Sequence, residues 1–131
     1  MNSGASKRDP QGSVYIAGPM THIEAFNFPA FFEAEERWAQ AGWIVINPAR
    51  LDANAGFDPE NDEPETSEAY MKRDLPKLAN CDAIALLPGW RESRSALKEH
   101  QVARWCGLFV YDAVTMALLP NEIVRQWEAT A

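Results

Sequence analysis

Apolar residues fall along this chain in two rhythms. Short unbroken runs, Ser13–Ala17 (SVYIA), Trp43–Ile46 (WIVI), Cys81–Leu87 (CDAIALL) and Leu108–Tyr111 (LFVY), are too brief for helices and predict buried strands. Turn residues follow the first three: Gly18-Pro19, Asn47-Pro48 and Pro88-Gly89-Trp90. Between them the rhythm becomes helical. From about Ala25 to Ala41, Phe28, Phe31, Phe32 and Trp38 recur on one side while Glu33, Glu35, Glu36 and Arg37 form a wet face, and Gly42 closes the segment. A second helix resumes near Ser67 with Met71, Leu75, Leu78 and Ala79 on one side, and Pro76 predicts a kink or interruption in it. A third runs from Ser95 to Cys106 and stops at Gly107, and a last one is expected over Pro120–Glu128. Leu51–Thr66 is acidic and lacks an apolar period, so it reads as a long loop of the kind used for lids or left disordered.

Strands alternating with helices, the strands apolar throughout, predict an α/β fold: a Rossmann- or flavodoxin-like three-layer sandwich around a parallel sheet of four to five strands. Ligands in such sheets bind beyond the carboxyl ends of the strands, so the three turns mark the expected site. A chain of 131 residues buries one core, giving one domain over residues 13–131 after a loose tail over residues 1–12 that has no apolar signal-peptide core. No apolar run is long enough to span a bilayer, so no membrane partner is expected. A net charge of −7 with scattered Lys and Arg argues against polymeric nucleic acid, whose phosphates need a basic stripe. A small anionic ligand stays compatible, because backbone N–H groups at a helix start can hold a phosphate. Cys81 and Cys106 have no histidines at metal-ligand spacing and read as two reduced, partly buried thiols in a cytoplasmic protein. His22 and His100 lack zinc-site partners, and neither a dinucleotide fingerprint, a P-loop nor a serine-hydrolase elbow is present, so no metal or cofactor is expected.

Candidate chemistry begins at Glu99. It shares a helical face with Ala96, Ala103 and Cys106, and a carboxylate among small apolar residues needs either a hydrogen-bonding partner or a ligand-filled cavity. The alternative is a solvated or paired glutamate at the edge of that face. Asp74 lies beside Met71, Leu75 and Leu78 and is a second candidate; a surface ion pair with Lys72, Arg73 or Lys77 is its plainer reading. Asp82 reads more simply as a turn or cap carboxylate. Tyr15, just before the Gly18-Pro19 turn, either orients a ligand or is a core tyrosine. Ser93 and Ser95 either bind an anion or cap the third helix.

Taken in order, Tyr15-Ile16-Ala17-Gly18-Pro19-Met20, Asn27-Phe28-Pro29-Ala30-Phe31, Asn47-Pro48, Tyr70-Met71-Lys72-Arg73-Asp74-Leu75, Cys81-Asp82-Ala83-Ile84, Leu87-Pro88-Gly89-Trp90, Ser93, Ala96, Glu99 and Ala103 resemble the nucleoside 2-deoxyribosyltransferase-like domains common in phages and bacteria. The resemblance covers Val14 to Tyr111. It implies cleavage or exchange of the N-glycosidic bond of a 2-deoxynucleoside or its 5-monophosphate. Glu99 matches the carboxylate that attacks the anomeric carbon, and Asp74 a carboxylate near sugar and base that could supply the departing base with a proton or hydrogen bond. Gly18, Pro19, Met20, Asn27, Pro48, Gly89, Trp90 and Ser95 fall with Tyr15 and Ser93 in the matching substrate-binding segments. Ser93 matches a phosphate-binding position of the related 2-deoxynucleoside 5-phosphate N-hydrolases. Pro19 departs from those hydrolases, which place a serine there, and Ser95 stands where relatives often carry glycine. The resemblance further implies a homodimer or larger homo-oligomer. The rival expectations are a catalytically silent nucleotide-binding or sequestering module, and a structural or interaction protein.

Overall fold

A computed structural model describes residues 11–120, which leaves residues 1–10 of the expected tail and nearly all of the helix expected over Pro120–Glu128 outside the described residues. Gly12, read as the end of the tail, instead opens the first strand, and Gln11 donates its N–H to the Gly42 carbonyl at 2.8 Å. Four parallel strands, β1 (Gly12–Ala17), β2 (Trp43–Ile46), β3 (Ala83–Leu86) and β4 (Phe109–Asp112), form one sheet in the order β2-β1-β3-β4. Helices α1 (Phe28–Gln40), α2 (Pro48–Asn54), α3 (Ser67–Ala79) and α4 (Arg94–Trp105) fill the connections. Alternation along the strands sorts the core into two halves. Val14, Ile16, Ala83 and Ala85 meet Phe28, Phe31, Ala34 and Trp38 of α1 on one face. On the other, Tyr15, Ala17, Ile84 and Leu86 meet Leu78 of α3 with Ala96 and Ala103 of α4. The result is the three-layer α/β sandwich that the alternating pattern predicts.

Three local features differ from the sequence expectation. The right-handed helix begins at Phe28, three residues later than predicted, because extending it to Ala25 would drive the Pro29 ring against the Ala25 carbonyl. Ala25, Phe26 and Asn27 instead adopt left-handed backbone in succession, with φ of 54°, 50° and 60°. Such conformations cost non-glycine residues roughly 1–2 kcal/mol each. The expected loop after β2 starts as a helix: Asn47 caps it by accepting from Ala49 N–H at 2.9 Å, and Pro48 occupies the first turn, where a missing N–H costs nothing. Lastly, α3 runs uninterrupted through Pro76, and the carbonyl that Pro76 cannot engage belongs to exposed Lys72.

The chain leaves β1 toward β2 on one side and places β3 on the other, so the order reverses between β1 and β3. Helix α1 therefore covers one face while α3 and α4 cover the other, and a crevice opens beyond the carboxyl ends of these central strands. Gly18 is the tightest point there: a Cβ on it would lie 2.7 Å from Leu87 Cβ, closer than packed carbons approach. No described helix is long and apolar enough to cross a membrane.

Candidate active site

The crevice is a cavity of about 480 Å³ bounded by the β1 exit, the N-terminal part of α4, the inner side of α3 and the α2–α3 connection. Glu99 sits at its base, only 6% exposed. One turn of α4 earlier is Ala96 and one turn later Ala103, both fully buried, which brings the helix close to the sheet and leaves the longer Glu99 side chain to reach the strand ends. Tyr15 of β1 is fully buried beneath it and donates its hydroxyl proton to Glu99 Oε2 at 2.7 Å. Burial pushes the Glu99 carboxyl up to about 8; the Tyr15 hydrogen bond opposes this rise and the negative charge of Asp74 adds to it. The Tyr15 hydroxyl is raised well above its ordinary value, chiefly by burial and then by the Glu99 charge. Tyr15 is thus the core tyrosine with its hydroxyl satisfied: it does not line the cavity, and what it holds is the Glu99 carboxylate and not the space a ligand would fill.

A second charged group forms the opposite wall. Asp74 of α3 is 4% exposed, and both its oxygens accept from Arg73, from Nε at 2.6 Å and Nη2 at 3.1 Å. The neighbouring-arginine pairing foreseen for Asp74 exists, but the aspartate is buried at the cavity. Arg73 also donates from Nη1 to Asp52 Oδ1 of α2 at 2.6 Å, so one guanidinium ties α2 to α3. Burial works against the Arg73 charge, yet the hydrogen bonds to Asp74 and Asp52 hold its pKa above the ordinary value. Burial raises the Asp52 carboxyl, with Arg73 pulling the other way. A guanidinium only donates, so the Asp74 oxygens facing it are acceptors.

The remaining wall is aromatic. Phe26, presented by the left-handed turn, meets Phe57 edge to face with ring centroids 5.6 Å apart, and Phe57 in turn lies 6.1 Å from Phe28. Asn27 does not line the cavity; it secures the turn by donating from Nδ2 to the Pro19 carbonyl at 3.0 Å.

Gly18, Pro19, Met20, Pro48, Ser93 and Ser95 line the cavity as the sequence reading placed them. Gly89 and Trp90 do not. The left-handed backbone of Gly89 (φ +85°) lies behind Pro19, where a Cβ would come within 3.2 Å of Pro19 Cγ, and buried Trp90 packs edge to face on His100. Burial, then the charges of Arg104 and Arg91, lower the His100 imidazole to about 4. Ser93 caps α4 by accepting from Ala96 N–H at 3.2 Å and lies 3.3 Å from the Ser95 hydroxyl, so the capping role is filled and both hydroxyls still border the cavity. Asp82 lies at the other end of the sheet, where Oδ2 accepts from Ser13 N at 2.9 Å, the turn role expected of it. Cys81 is buried, but Cys106 is exposed, since the α4 residues facing the sheet end at Ala103. Among the described residues no group of three His, Cys, Asp or Glu side chains could hold a metal ion.

Asp52, the role of Arg73 and the Phe26–Phe57 wall escape the sequence reading. Asn47-Pro48, a capping residue followed by a first-turn proline, is the signal that could have revealed α2 and, four residues after Pro48, Asp52 on its buried side. The family profile of a domain of unknown function (DUF4406) matches residues 12–112, from the first residue of β1 to the last of β4. No curated protein and no solved structure matches the chain.

Proposed function

We propose that this chain, which belongs to the DUF4406 family of domains of unknown function, cleaves or exchanges the N-glycosidic bond of a 2-deoxynucleoside or its 5-monophosphate, with Glu99 as the nucleophile. The observation that carries the reading is Glu99 itself: a carboxylate buried at the base of a nucleoside-sized cavity, held by a 2.7 Å hydrogen bond from Tyr15 and, among the described residues, in no ion pair. N-glycoside cleavage develops positive charge at the anomeric carbon, which a carboxylate on the face opposite the base stabilises or traps as an ester. The apolar surroundings strengthen that interaction. Asp74, aimed by Arg73, offers acceptors to a sugar hydroxyl or a base N–H, and the Phe26–Phe57 wall offers a surface for a planar base. A 5-phosphate would meet Ser93 and Ser95 at the start of α4. A homo-oligomer belongs to the same reading, and light scattering of the purified chain tests it.

The test is incubation with a panel of deoxynucleosides and their 5-monophosphates, with and without acceptor bases, following free base by chromatography. Release by wild type and its loss in Glu99→Ala are expected. No release, or equal release by the variant, overturns the reading. A second reading, a nucleotide-binding module without turnover, draws on the raised Glu99 pKa of about 8, which favours the neutral form at pH 7. It predicts a ligand-induced thermal shift with no product.

A further inference from the structure

The charges around the cavity are lopsided. Asp52, Glu65, Asp74, Glu92 and Glu99 line it, against the guanidiniums of Arg73 and Arg94 and the imidazole of His22. Arg73 is already engaged by two carboxylates, Asp52 and Asp74, so among the described residues buried Glu99 and the exposed rim carboxylates Glu65 and Glu92 share the lining with one other guanidinium, Arg94. Asp74, the lining carboxylate whose charge reaches Glu99, uses both its oxygens as acceptors from Arg73. A neutral base leaves as an anion unless it receives a proton, and the Asp74–Arg73 arrangement has none to give.

We infer that the cavity selects N-glycosides whose base already carries a positive charge, as in pyridinium or N7-alkylated purine nucleosides. This rests on the glycosidic-bond reading above and names its substrate class. In such a compound Glu99 attacks C1, a C–O bond forms, the C1–N bond breaks, and its electron pair neutralises the ring nitrogen, so the base departs neutral without a proton donor. Water then replaces Glu99 at C1, restoring the carboxylate and releasing one proton to solvent. The cation also solves the difficulty of ionising Glu99 in a dry site: a positive ring a few ångströms away favours the charged carboxylate. The Phe26, Phe28 and Phe57 rings beside the cavity offer any planar base a stacking surface and a flat cation a further cation–π attraction.

The experiment pairs compounds that differ in charge. The full chain is assayed with 7-methyl-2-deoxyguanosine against 2-deoxyguanosine and with the 2-deoxyriboside of nicotinamide against 2-deoxyinosine, and with the ribose forms of all four. Each rate is divided by its spontaneous rate, because cationic glycosides are intrinsically labile. Binding of the unreactive pair 1-methylnicotinamide and nicotinamide is measured by calorimetry. At least tenfold greater rate enhancement and at least tenfold tighter binding are expected for the cationic member of each pair, with the preference shrinking at least twofold in Glu65→Gln/Glu92→Gln. Equal enhancement across the pairs, or cleavage of the neutral deoxynucleosides alone, overturns the charge selection and leaves the Glu99 reading standing. Tight binding of the cation with no cleavage of any glycoside supports the charge selection and overturns the glycosidic-bond reading.

Discussion

Replacing Glu99 with Gln gives the electrostatics of this site a thermodynamic readout that needs no substrate. The two side chains have nearly the same shape, and only Glu can ionise. In the folded protein Glu99 keeps its proton up to about pH 8, whereas the ordinary value is 4.5. Between those values the folded state holds a proton that the unfolded chain has released, so stability falls as pH rises. This one group sets a slope of up to about 1.4 kcal/mol per pH unit. Across the whole window the loss is on the order of 3–5 kcal/mol, a large fraction of the ~5–15 kcal/mol by which a domain is stable. Urea unfolding of wild type and Glu99→Gln at pH 5, 6, 7 and 8 isolates it, because titrating groups that do not interact with Glu99 cancel in the difference. The two proteins should be of similar stability at pH 5, and the variant should lead by several kcal/mol at pH 8 while losing any activity. Parallel stability curves would refute the reasoning, since they would mean that Glu99 ionises as readily folded as unfolded.

Three further outcomes follow from the same geometry. Tyr15→Phe removes the donor at 2.7 Å from Glu99, so the alkaline rise of a nucleophile's pH–rate profile, expected near 8, should move up by about one unit; an unmoved limb would show that the bond does not tune Glu99. Gly18→Ala places a Cβ 2.7 Å from Leu87 and should cost roughly 1–3 kcal/mol in chemical denaturation, whereas a neutral result would show that the β1 and β3 exits separate easily. Arg73→Ala leaves Asp52 and Asp74 without their shared cation and should cost roughly 2–3 kcal/mol, below the ~3–5 kcal/mol of a fully buried pair because Arg73 is 30% exposed. Equal thermal midpoints of wild type and this variant would count against the tie between α2 and α3.

The strands could be read in advance because a parallel sheet covered on both faces demands short apolar runs, and glycine or proline ends three of the four. Glu99 was legible for a related reason: Ala96 and Ala103 marked its helical face as buried, so a carboxylate among them stood out. The acidic tract after β2 concealed as much as it showed. Its charge is typical of a solvated loop, yet Asp52 within it is buried against Arg73, a contact made by residues 21 positions apart. Asn27 tolerates left-handed backbone, but nothing in Ala25 or Phe26 announces it; the Asn27–Pro19 hydrogen bond and the Phe26–Phe57 contact hold the segment there. Gly89 and Trp90 sat in the right turn but serve packing, a distinction that depends on which side of Pro19 each one occupies.

The hydrogen bond from Tyr15 to Glu99 joins residues 84 positions apart. Closing so long a stretch of chain requires both crossovers between them to be in place, so the reactive carboxylate and its holder meet only once β1, β3 and α4 have come together. The cavity is lined from Gly18 to Glu99, so a compound that lodges there binds that assembled stretch and not its fragments. Occupancy is therefore coupled to the integrity of the whole domain: saturating ligand should slow proteolysis at sites remote from the cavity whenever cleavage requires global unfolding.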